Sequence, residues 1–298
     1  MQTTITIPVR SAGEALRQLP NLFKLRIGVV IGFTALAGIA VTPGELSGWR
    51  SALLGLAVLL SSASAGAFNQ YVERDLDMRM ARTQGRPFVT GSLRHGPAWL
   101  WLIGLMVTGS VAAVALAANP VSALYVFLGA FFYAIVYTVW LKRRTWLNIV
   151  IGGLAGSFAV LAGSAAVTPG LSPAAILLAL VLFLWTPPHF WSLAIAHHKD
   201  YQAAGVPMLP VVVGDARCAR VILGSTLLLV ATSLLPVLYG LGWIYLLGAA
   251  AGGALFVSTS VRLARDPSRA SAMKNFHASL LQLSLLLTAA MLDGALMP

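Results

Sequence analysis

The chain has 298 residues, of which 58% are hydrophobic and only 10% are charged, and its mean hydropathy is +0.83. A soluble globular domain is about half apolar and about a quarter charged. This composition excludes an ordinary soluble protein and predicts an integral membrane protein. Cys218 is the single cysteine, which excludes an internal disulfide and a CxxC metal or redox site.

The first 26 residues are polar and charged, without a short apolar region followed by a cleavage site. We therefore expect no removable signal peptide and interpret residues 1–20 as an N-terminal cytoplasmic segment. Long linkers and low-complexity tracts are missing from the sequence. We predict a single membrane domain that spans residues 1–298.

Nine apolar stretches follow one another, each about long enough to cross the hydrocarbon core of a bilayer as a helix. Proline and glycine lie in several of the breaks between them, and the stretches alternate too little to be barrel strands. The fold class predicted is an all-α integral membrane bundle of about nine transmembrane helices. The predicted spans are 27–43, 52–72, 98–117, 121–141, 146–167, 173–196, 219–240, 243–261 and 276–293.

The basic residues are distributed unequally between the two sides of this predicted bundle. If the breaks alternate sides, nineteen of the twenty Lys and Arg residues share a side with the N-terminus, and Arg50 alone lies on the other. Lys and Arg accumulate on the cytoplasmic side of membrane proteins. We therefore expect a multi-pass protein of the plasma (inner) membrane with a cytoplasmic N-terminus and an external C-terminus. The net charge of +11 reflects this topology and not a nucleic-acid partner.

A charged segment follows the second apolar stretch, and three of its oxygen-bearing side chains share one helical face. Asn69, Glu73 and Asp77 are four residues apart, which keeps them within an arc of about 80°. Such a row suits Mg²⁺, which takes one or two carboxylates together with phosphate oxygens. Asp75 lies on the opposite face, where Arg79 is its expected partner. The alternative interpretation is a solvated helix end.

Arginines follow this row directly and favour a diphosphate ligand, which offers them bidentate oxygens. They are Arg79, Arg82 and Arg86. A second basic cluster, after the fourth apolar stretch, places Lys142 and Tyr137 near the bundle, where a lysine could bind phosphate. For Arg143 and Arg144, in the same short turn, we favour a role as positive membrane anchors.

The sixth apolar stretch contains Pro187 and Pro188, which are expected to kink or break its helix and to line a cavity there. His189 follows them directly and is either a structural hydrogen-bonding residue or a ligand. Asp200 lies at the predicted cytoplasmic end, on the same side as the acidic row, and is the candidate carboxylate for a second metal.

These segments together resemble the UbiA superfamily of intramembrane prenyltransferases and, within it, the protoheme IX farnesyltransferase (haem O synthase) family. The resemblance extends from about residue 20 to the end and is carried by ordered motifs on the predicted cytoplasmic side. They are Asn69-x-x-x-Glu73-x-x-x-Asp77, Met80 to Pro87, Tyr137 to Arg143 with Thr145, Asn148 and Ile151 to Gly153, Trp185 to Trp191, and Asp200 to Pro210.

The resemblance implies transfer of the farnesyl group of farnesyl diphosphate to a vinyl group of haem b, with hydration, to make haem O. It implies Mg²⁺, with Mn²⁺ as an alternative, held by Asn69, Glu73, Asp77 and Asp200, which are also the expected catalytic residues. The diphosphate ligands implied are Lys24, Arg26, Arg79, Arg82, Arg86, Tyr137 and Lys142. The haem-binding residues implied are Trp185, His189, Trp191, His197 and His198.

The expected surroundings are the lipid bilayer and an active site that faces the cytoplasm, with haem A synthase or oxidase assembly proteins as further partners. The sequence departs from the family pattern at three positions: Leu25 replaces a proline, Glu73 replaces an aspartate, and Ala204 replaces the second acid after Asp200. The exact ligands of a second magnesium are therefore open. Prenyl transfer to a quinone or chlorophyll precursor is the alternative reaction, and a membrane transporter is the alternative class.

Overall fold

A computed structural model describes residues 12–296, and the rest of the predicted N-terminal segment lies outside the described residues. Every regular element in this range is helical, as predicted. The α-helices are α1 (Ala12–Leu22), α2 (Leu25–Ala40), α3 (Gly48–Val72), α4 (Arg74–Arg79), α5 (Pro87–Thr90), α6 (Ala98–Ala117), α7 (Pro120–Phe131), α8 (Asn148–Gly152), α9 (Leu154–Val167), α10 (Pro173–Ala196), α11 (His198–Ala203), α12 (Leu209–Val213), α13 (Asp215–Leu234), α14 (Trp243–Arg265) and α15 (Arg269–Leu296).

The number of membrane spans agrees with the prediction of about nine. Between residues 12 and 296, eight helical segments are long and apolar enough to cross a membrane. Residues Leu16–Leu22 and Leu25–Ala40 form a further pair, bent by 48°, which makes nine if it counts as one span. The chain is therefore an all-helical, multi-span membrane protein, whereas the orientation of its termini remains a prediction.

Small residues allow the helices to pack closely in the middle of the bundle. A Cβ atom on Gly38 of α2 would overlap the backbone of Val160 in α9, and one on Gly163 would overlap the carbonyl of Ala35. Helices in lipid associate through such close van der Waals packing, because the lipid chains are as apolar as the helix surfaces. The two glycines thus hold α2 against α9, and α2 also packs on α3.

A buried carboxylate joins the last two long helices at the side opposite to the charged loops. Asp293 of α15 is only 1% exposed. It accepts the backbone N–H of Gly242 at 2.5 Å and that of Tyr245 at 3.2 Å, at the start of α14. Carboxylates are favourable there because the first N–H groups of a helix lack intrahelical partners.

Two helices depart from the expectations. Residues Phe132–Leu141, at the end of the fourth span, form a π-helix, a form that is rare and frequent at functional sites. The sequence predicted a kink or a break at Pro187 and Pro188, and the break is wrong, because α10 continues through both. Prolines remove N–H donors, but Ser and Thr side chains and neighbouring helices compensate for this within membranes.

Candidate active site

The row of oxygen-bearing side chains lies where α3 ends and α4 begins. Helix α3 ends at Val72, yet the helical hydrogen bonds continue: Glu73 N–H donates to the Asn69 carbonyl at 3.0 Å and Asp77 N–H to the Glu73 carbonyl at 2.9 Å. Asn69, Glu73 and Asp77 are 2%, 0% and 2% exposed. The structure thus brings these three side chains together on one buried face, which we call the acidic row.

Both carboxylates of the acidic row are paired with cations from other segments. Lys142 Nζ donates to Glu73 Oε2 at 2.5 Å, and Arg86 Nη1 is 2.7 Å from both carboxylate oxygens of Asp77. Pairing of this kind is required because an uncompensated buried charge is very costly. The second oxygen of Glu73, Oε1, is buried and has no hydrogen-bond partner among the described residues.

Asn69 is bonded at both ends of its amide. Lys24, which lies between α1 and α2 in a left-handed backbone conformation (φ 48°), donates from Nζ to Asn69 Oδ1 at 2.7 Å and to the Tyr133 hydroxyl at 3.0 Å. Asn69 Nδ2 donates to Thr138 Oγ1 at 3.1 Å. Tyr133 and Thr138 belong to the π-helix. Thr138 lies within the motif from Tyr137 to Arg143, whereas no motif of the sequence includes Tyr133.

Tyr137 lies on the same π-helix, beside the Glu73 ion pair. Its ring stacks on that of Tyr133 with centroids 5.5 Å apart, and Lys142 Nζ lies 5.6 Å from its centroid. The ring is pressed against Gly152, where an added Cβ would approach Tyr137 Cδ2 to 2.9 Å. Only glycine fits this contact without displacing the ring.

The predicted diphosphate ligands do not all reach the site. Arg82 and Arg86 line an outer cavity of about 390 Å³ together with Lys24. Arg26 lines a second, inner cavity. Arg79 is exposed and is not among the residues that line these two cavities. Four of the seven predicted ligands therefore line these cavities, and Tyr137 and Lys142 lie beside the acidic row.

The expected partner of Asp75 is wrong. Asp75 is paired with Arg143, whose Nη1 and Nη2 donate to its two carboxylate oxygens at 2.8 and 2.7 Å, and not with Arg79. These hydrogen bonds hold the pKa of the Asp75 carboxyl below its ordinary value. The turn that carries Lys142 packs against α4, so Arg143 reaches Asp75 from outside the helix. This tertiary contact replaces the local i,i+4 pair.

The inner cavity has a volume of about 410 Å³, and Lys24 and Tyr133 are among the residues that line it. Side chains of α2, α3, α7, α8, α9, α10 and α15 line it, and most of them are apolar or small. Trp185 and His189 line it on α10. Lys24 also lines the outer cavity, so one cation is shared by a polar space beside Arg82 and Arg86 and an apolar space within the bundle. The three residues of the acidic row line neither cavity and reach the outer one through Lys24 and Arg86, to which Asn69 and Asp77 are bonded.

His189 is held on three sides within the inner cavity. Its ring is 6% exposed and stacks between Trp185, at 4.1 Å between centroids, and Phe276, at 4.4 Å. Phe190 contacts the ring edge-on at 5.0 Å. Nδ1 lies 2.6 Å from the hydroxyl of Ser279 in α15. Apolar walls with one oriented polar group are typical of pockets for flat ligands.

Trp191, a predicted haem-binding residue, lies on a different side of α10. It is 3% exposed, is not among the residues that line the inner cavity, and packs near Trp146 with centroids 6.4 Å apart. Its indole Nε1 is buried without a partner among the described residues. At 100° per residue, Trp191 points about 200° away from His189, whereas Trp185 lies one turn before it.

The remaining predicted site residues form pairs of their own at the end of α10. His197 Nδ1 lies 3.6 Å from a carboxylate oxygen of Asp200, and His198 Nδ1 lies 2.7 Å from one of Asp215. Partial burial, together with the nearby Arg82, lowers the pKa of His197. None of these three predicted residues, His197, His198 and Asp200, lines either cavity.

The metal-binding capacity of the site rests on the acidic row. Within residues 12–296, no group of three or more His, Cys, Asp and Glu side chains forms a ready-made metal site. The row instead offers two carboxylates and an amide oxygen, which are the hard ligands that Mg²⁺ prefers. The unpartnered Glu73 Oε1 is an open acceptor for a cation. These donors fit one Mg²⁺ that shares its coordination with phosphate oxygens.

Comparison with known proteins supports this picture. The model of the UbiA prenyltransferase family matches residues 31–286. "Protoheme IX farnesyltransferase 2" of Paramagnetospirillum magneticum is 58% identical over 283 residues, which cover 94% of this chain and 98% of the relative.

Two solved structures show the same fold at low sequence identity. A digeranylgeranylglyceryl phosphate synthase has a TM-score of 0.77 at 18% identity, and the match covers 94% of this chain and 99% of that one. A UbiA homologue from Archaeoglobus fulgidus, bound to DMAPP and Mg²⁺, has a TM-score of 0.65 at 18% identity, with coverages of 93% and 99%.

Proposed function

Because this chain belongs to the UbiA prenyltransferase family, we propose that it transfers the farnesyl group of farnesyl diphosphate to a vinyl group of haem b, with hydration, to give haem O. The observation that carries this proposal is the junction of two spaces at Lys24. A polar cavity lined by Lys24, Arg82 and Arg86, of which Lys24 and Arg86 are bonded to the acidic row, suits a diphosphate. An apolar cavity that His189 and Trp185 line suits a flat macrocycle.

The diphosphate end of the donor binds at the outer cavity in this proposal. Lys24, Arg82 and Arg86 line that cavity and offer positive charge to the phosphate oxygens. Lys142, which donates a hydrogen bond to Glu73, is a further basic residue near this cavity. Guanidinium groups bind phosphate oxygens bidentately. Lys142 and Arg86 are bonded to Glu73 and Asp77 of the acidic row, and we propose that they turn toward the diphosphate when it binds.

A divalent metal, which we propose to be Mg²⁺ with Mn²⁺ as a substitute, binds at the acidic row. Asn69, Glu73 and Asp77 would hold it, and the open Glu73 Oε1 supports this assignment. The metal supplies charge stabilisation for the departing diphosphate. Asp200 remains the candidate ligand for a second metal ion. Its carboxylate lies 3.6 Å from Nδ1 of His197.

The chain's residues assist bond cleavage in two ways. The basic groups stabilise the negative charge that develops on the diphosphate as the C1–O bond breaks, in the manner of any preorganised anion site. The apolar inner cavity excludes water from the allylic cation until the acceptor reacts. The terminal vinyl carbon then bonds to farnesyl C1, and water adds to the other vinyl carbon and loses a proton.

The acceptor lies in the inner cavity. Trp185 and Phe190 line this space with aromatic surface, and His189 is the histidine among its lining residues. Phe276 stacks on the His189 ring. A neutral imidazole can ligate haem iron, and we assign this role to His189. Trp191, His197 and His198 would contribute only if the helix end rearranged on binding, because none lines the cavity.

We place the protein in the plasma (inner) membrane, with the acidic row on the cytoplasmic side, because the basic loops share that side. Haem A synthase and oxidase assembly proteins are the partners expected downstream, since they would consume haem O. The whole chain, residues 1–298, acts as one prenyltransferase domain.

The experiment that tests this function compares two acceptors. Membranes that contain the protein are incubated with Mg²⁺ and labelled farnesyl diphosphate, and either haem b or 4-hydroxybenzoate is added. We expect label in a haem product that carries one farnesyl group and one added water. Label in 4-hydroxybenzoate instead would identify the chain as a quinone-precursor prenyltransferase.

A further inference from the structure

We propose that Ser279 is a positioning residue for the acceptor: its hydroxyl holds His189 in the Nδ1-protonated form, so that Nε2 presents its lone pair to haem in the inner cavity. This inference rests on the proposed function, because it assigns a purpose to the orientation of His189. Ser279 lies in α15, in the last apolar stretch, and no sequence motif marks it.

The direction of the hydrogen bonds follows from a count of protons. Ser279 Oγ lies 2.6 Å from the carbonyl oxygen of Phe276 and 2.6 Å from Nδ1 of His189. A carbonyl only accepts, so the single hydroxyl proton of Ser279 is donated to Phe276. Nδ1 of His189 must therefore carry a proton and donate it to Oγ. A neutral imidazole has one proton, so Nε2 is left as an acceptor.

Neighbouring side chains also fix the imidazole ring of His189 against rotation. Trp185 Nε1 donates to the backbone carbonyl of Ser279 at 3.0 Å, so the same residue positions both the imidazole and the indole that stacks on it. Phe276 covers the other face of the ring. With both faces covered and Nδ1 bonded, the Nε2 edge is the part of the imidazole left for a ligand.

A hydrogen bond between Asn275 of α15 and Ser192 of α10 supports this arrangement. Asn275 Nδ2 donates to Ser192 Oγ at 2.9 Å, which ties α15 to α10 one turn from Ser279 and His189. All four residues are buried. The registry of α15 against α10 is thereby set by hydrogen bonds, and the Ser279 hydroxyl is held opposite Nδ1.

Histidines that bind a metal usually donate their other ring N–H to a fixed acceptor, and loss of that acceptor costs about 10–100-fold in affinity. We therefore expect Ser279→Ala to weaken haem binding by about tenfold. Without the acceptor, the proton is free to occupy Nε2, and the fraction of rings that present a lone pair falls.

The test is a double-mutant cycle on the purified full-length protein. Haem b is titrated into the parent, Ser279→Ala, His189→Asn and the double variant, with the Soret band as readout. Asn is chosen because its amide nitrogen retains the donor to Ser279 and lacks an atom at the position of Nε2. Ser284→Ala is the matched control, because Ser284 is an exposed serine of the same helix. Farnesyl diphosphate binding is measured in parallel by competition with a labelled analogue.

We expect Ser279→Ala to lower haem affinity and shift the Soret band, to leave farnesyl diphosphate binding unchanged, and to have no additional effect in the His189→Asn background. Ser279→Thr, which retains the hydroxyl, is expected to keep the parent spectrum. The proposal is overturned if Ser279→Ala binds haem with the parent's affinity and spectrum, or if its effect persists undiminished without His189. Absence of a farnesylated haem from the parent would instead refute the proposed function itself.

Discussion

Glu73 and Asp75 are two residues apart, but the Glu73 side chain is buried and the Asp75 side chain is exposed. The Glu73 side chain is inaccessible to solvent and is bonded to Lys142, whereas the Asp75 side chain is 45% exposed and is bonded to Arg143. Asp77, two residues further, is buried again and is bonded to Arg86. This alternation assigns ligand chemistry to Glu73 and Asp77, and a surface ion pair to Asp75.

The first prediction separates these two roles. Asp77→Ala removes a carboxylate of the acidic row and is expected to reduce farnesyl transfer by about 100-fold or more, because charge stabilisation at the diphosphate is lost. Asp75→Ala breaks only an exposed ion pair, worth about 0.2–1 kcal/mol, and is expected to retain most of the activity. Initial rates with labelled farnesyl diphosphate measure both variants. Equal losses would contradict the one-face argument.

The sequence predicted the acidic row because helical spacing alone determines it. Asn69, Glu73 and Asp77 stay on one face, since the hydrogen bonds continue through the junction of α3 and α4. The same spacing could have shown that Trp191 points away from His189. The contact between Asp75 and Arg143 could not be predicted in this way, because it depends on how a distant turn packs against α4.

The π-helix and the turn after it bring basic and hydroxyl groups to the acidic row. Residues Phe132–Leu141 present Tyr133 and Thr138 to Lys24 and Asn69, and the turn then delivers Lys142 to Glu73. The apolar pattern of this stretch predicts a helix but does not distinguish a π-helix from an α-helix, because both bury similar residues. The polar side chains of the site therefore remained hidden within an apolar span.

The second prediction tests the pairing of this turn with α3. Lys142→Met leaves the buried Glu73 carboxylate without its cation and is expected to lower the free energy of unfolding by about 3–5 kcal/mol. Thermal unfolding in detergent measures the loss, and Lys199→Met at an exposed position is the control. The double variant Lys142→Met/Glu73→Gln should recover most of the stability, because no unpaired charge remains. An unaltered midpoint for the single variant would argue against a structural ion pair.

The third prediction concerns the start of α14. Asp293→Ala removes the acceptor of the Gly242 and Tyr245 N–H groups and is expected to cost about 1–2 kcal/mol of stability. Asp293→Asn, which retains one acceptor oxygen, should cost less. Thermal unfolding is again the measurement, with the exposed Glu45→Ala as control. A loss for Glu45→Ala as large as that for Asp293→Ala would refute the capping role.

At the scale of the whole molecule, two unlike cavities meet within one bundle. The outer cavity collects basic side chains that are far apart in sequence, and the inner cavity is lined by residues of seven α-helices and the π-helix, most of them small or apolar. Composition and periodicity predicted the spans and their number well, because the bilayer imposes length and polarity on each helix. They placed a cavity near Pro187 and Pro188 but did not predict Ser279 or the other helices that line that cavity, since these depend on which helices become neighbours.

The fourth prediction is the orientation of the bundle. Reporter fusions after Arg86 and after Lys199 are expected to be cytoplasmic, and a fusion at Pro298 is expected to be external, because nineteen of the twenty basic residues share one side. Pro298 lies outside the described residues, so this assay also locates the C-terminus. A cytoplasmic C-terminal reporter would mean that the count of nine spans is wrong by one.

The central claim is that this chain converts haem b into haem O, and the most direct test is the mass of the haem that it produces. Haem is extracted from cells that lack other haem farnesyltransferases and express the parent or Asp77→Ala. We predict that the parent yields a haem heavier than haem b by one farnesyl group and one water, and that Asp77→Ala yields haem b alone. If cells with the folded parent contain only haem b, the central claim is wrong.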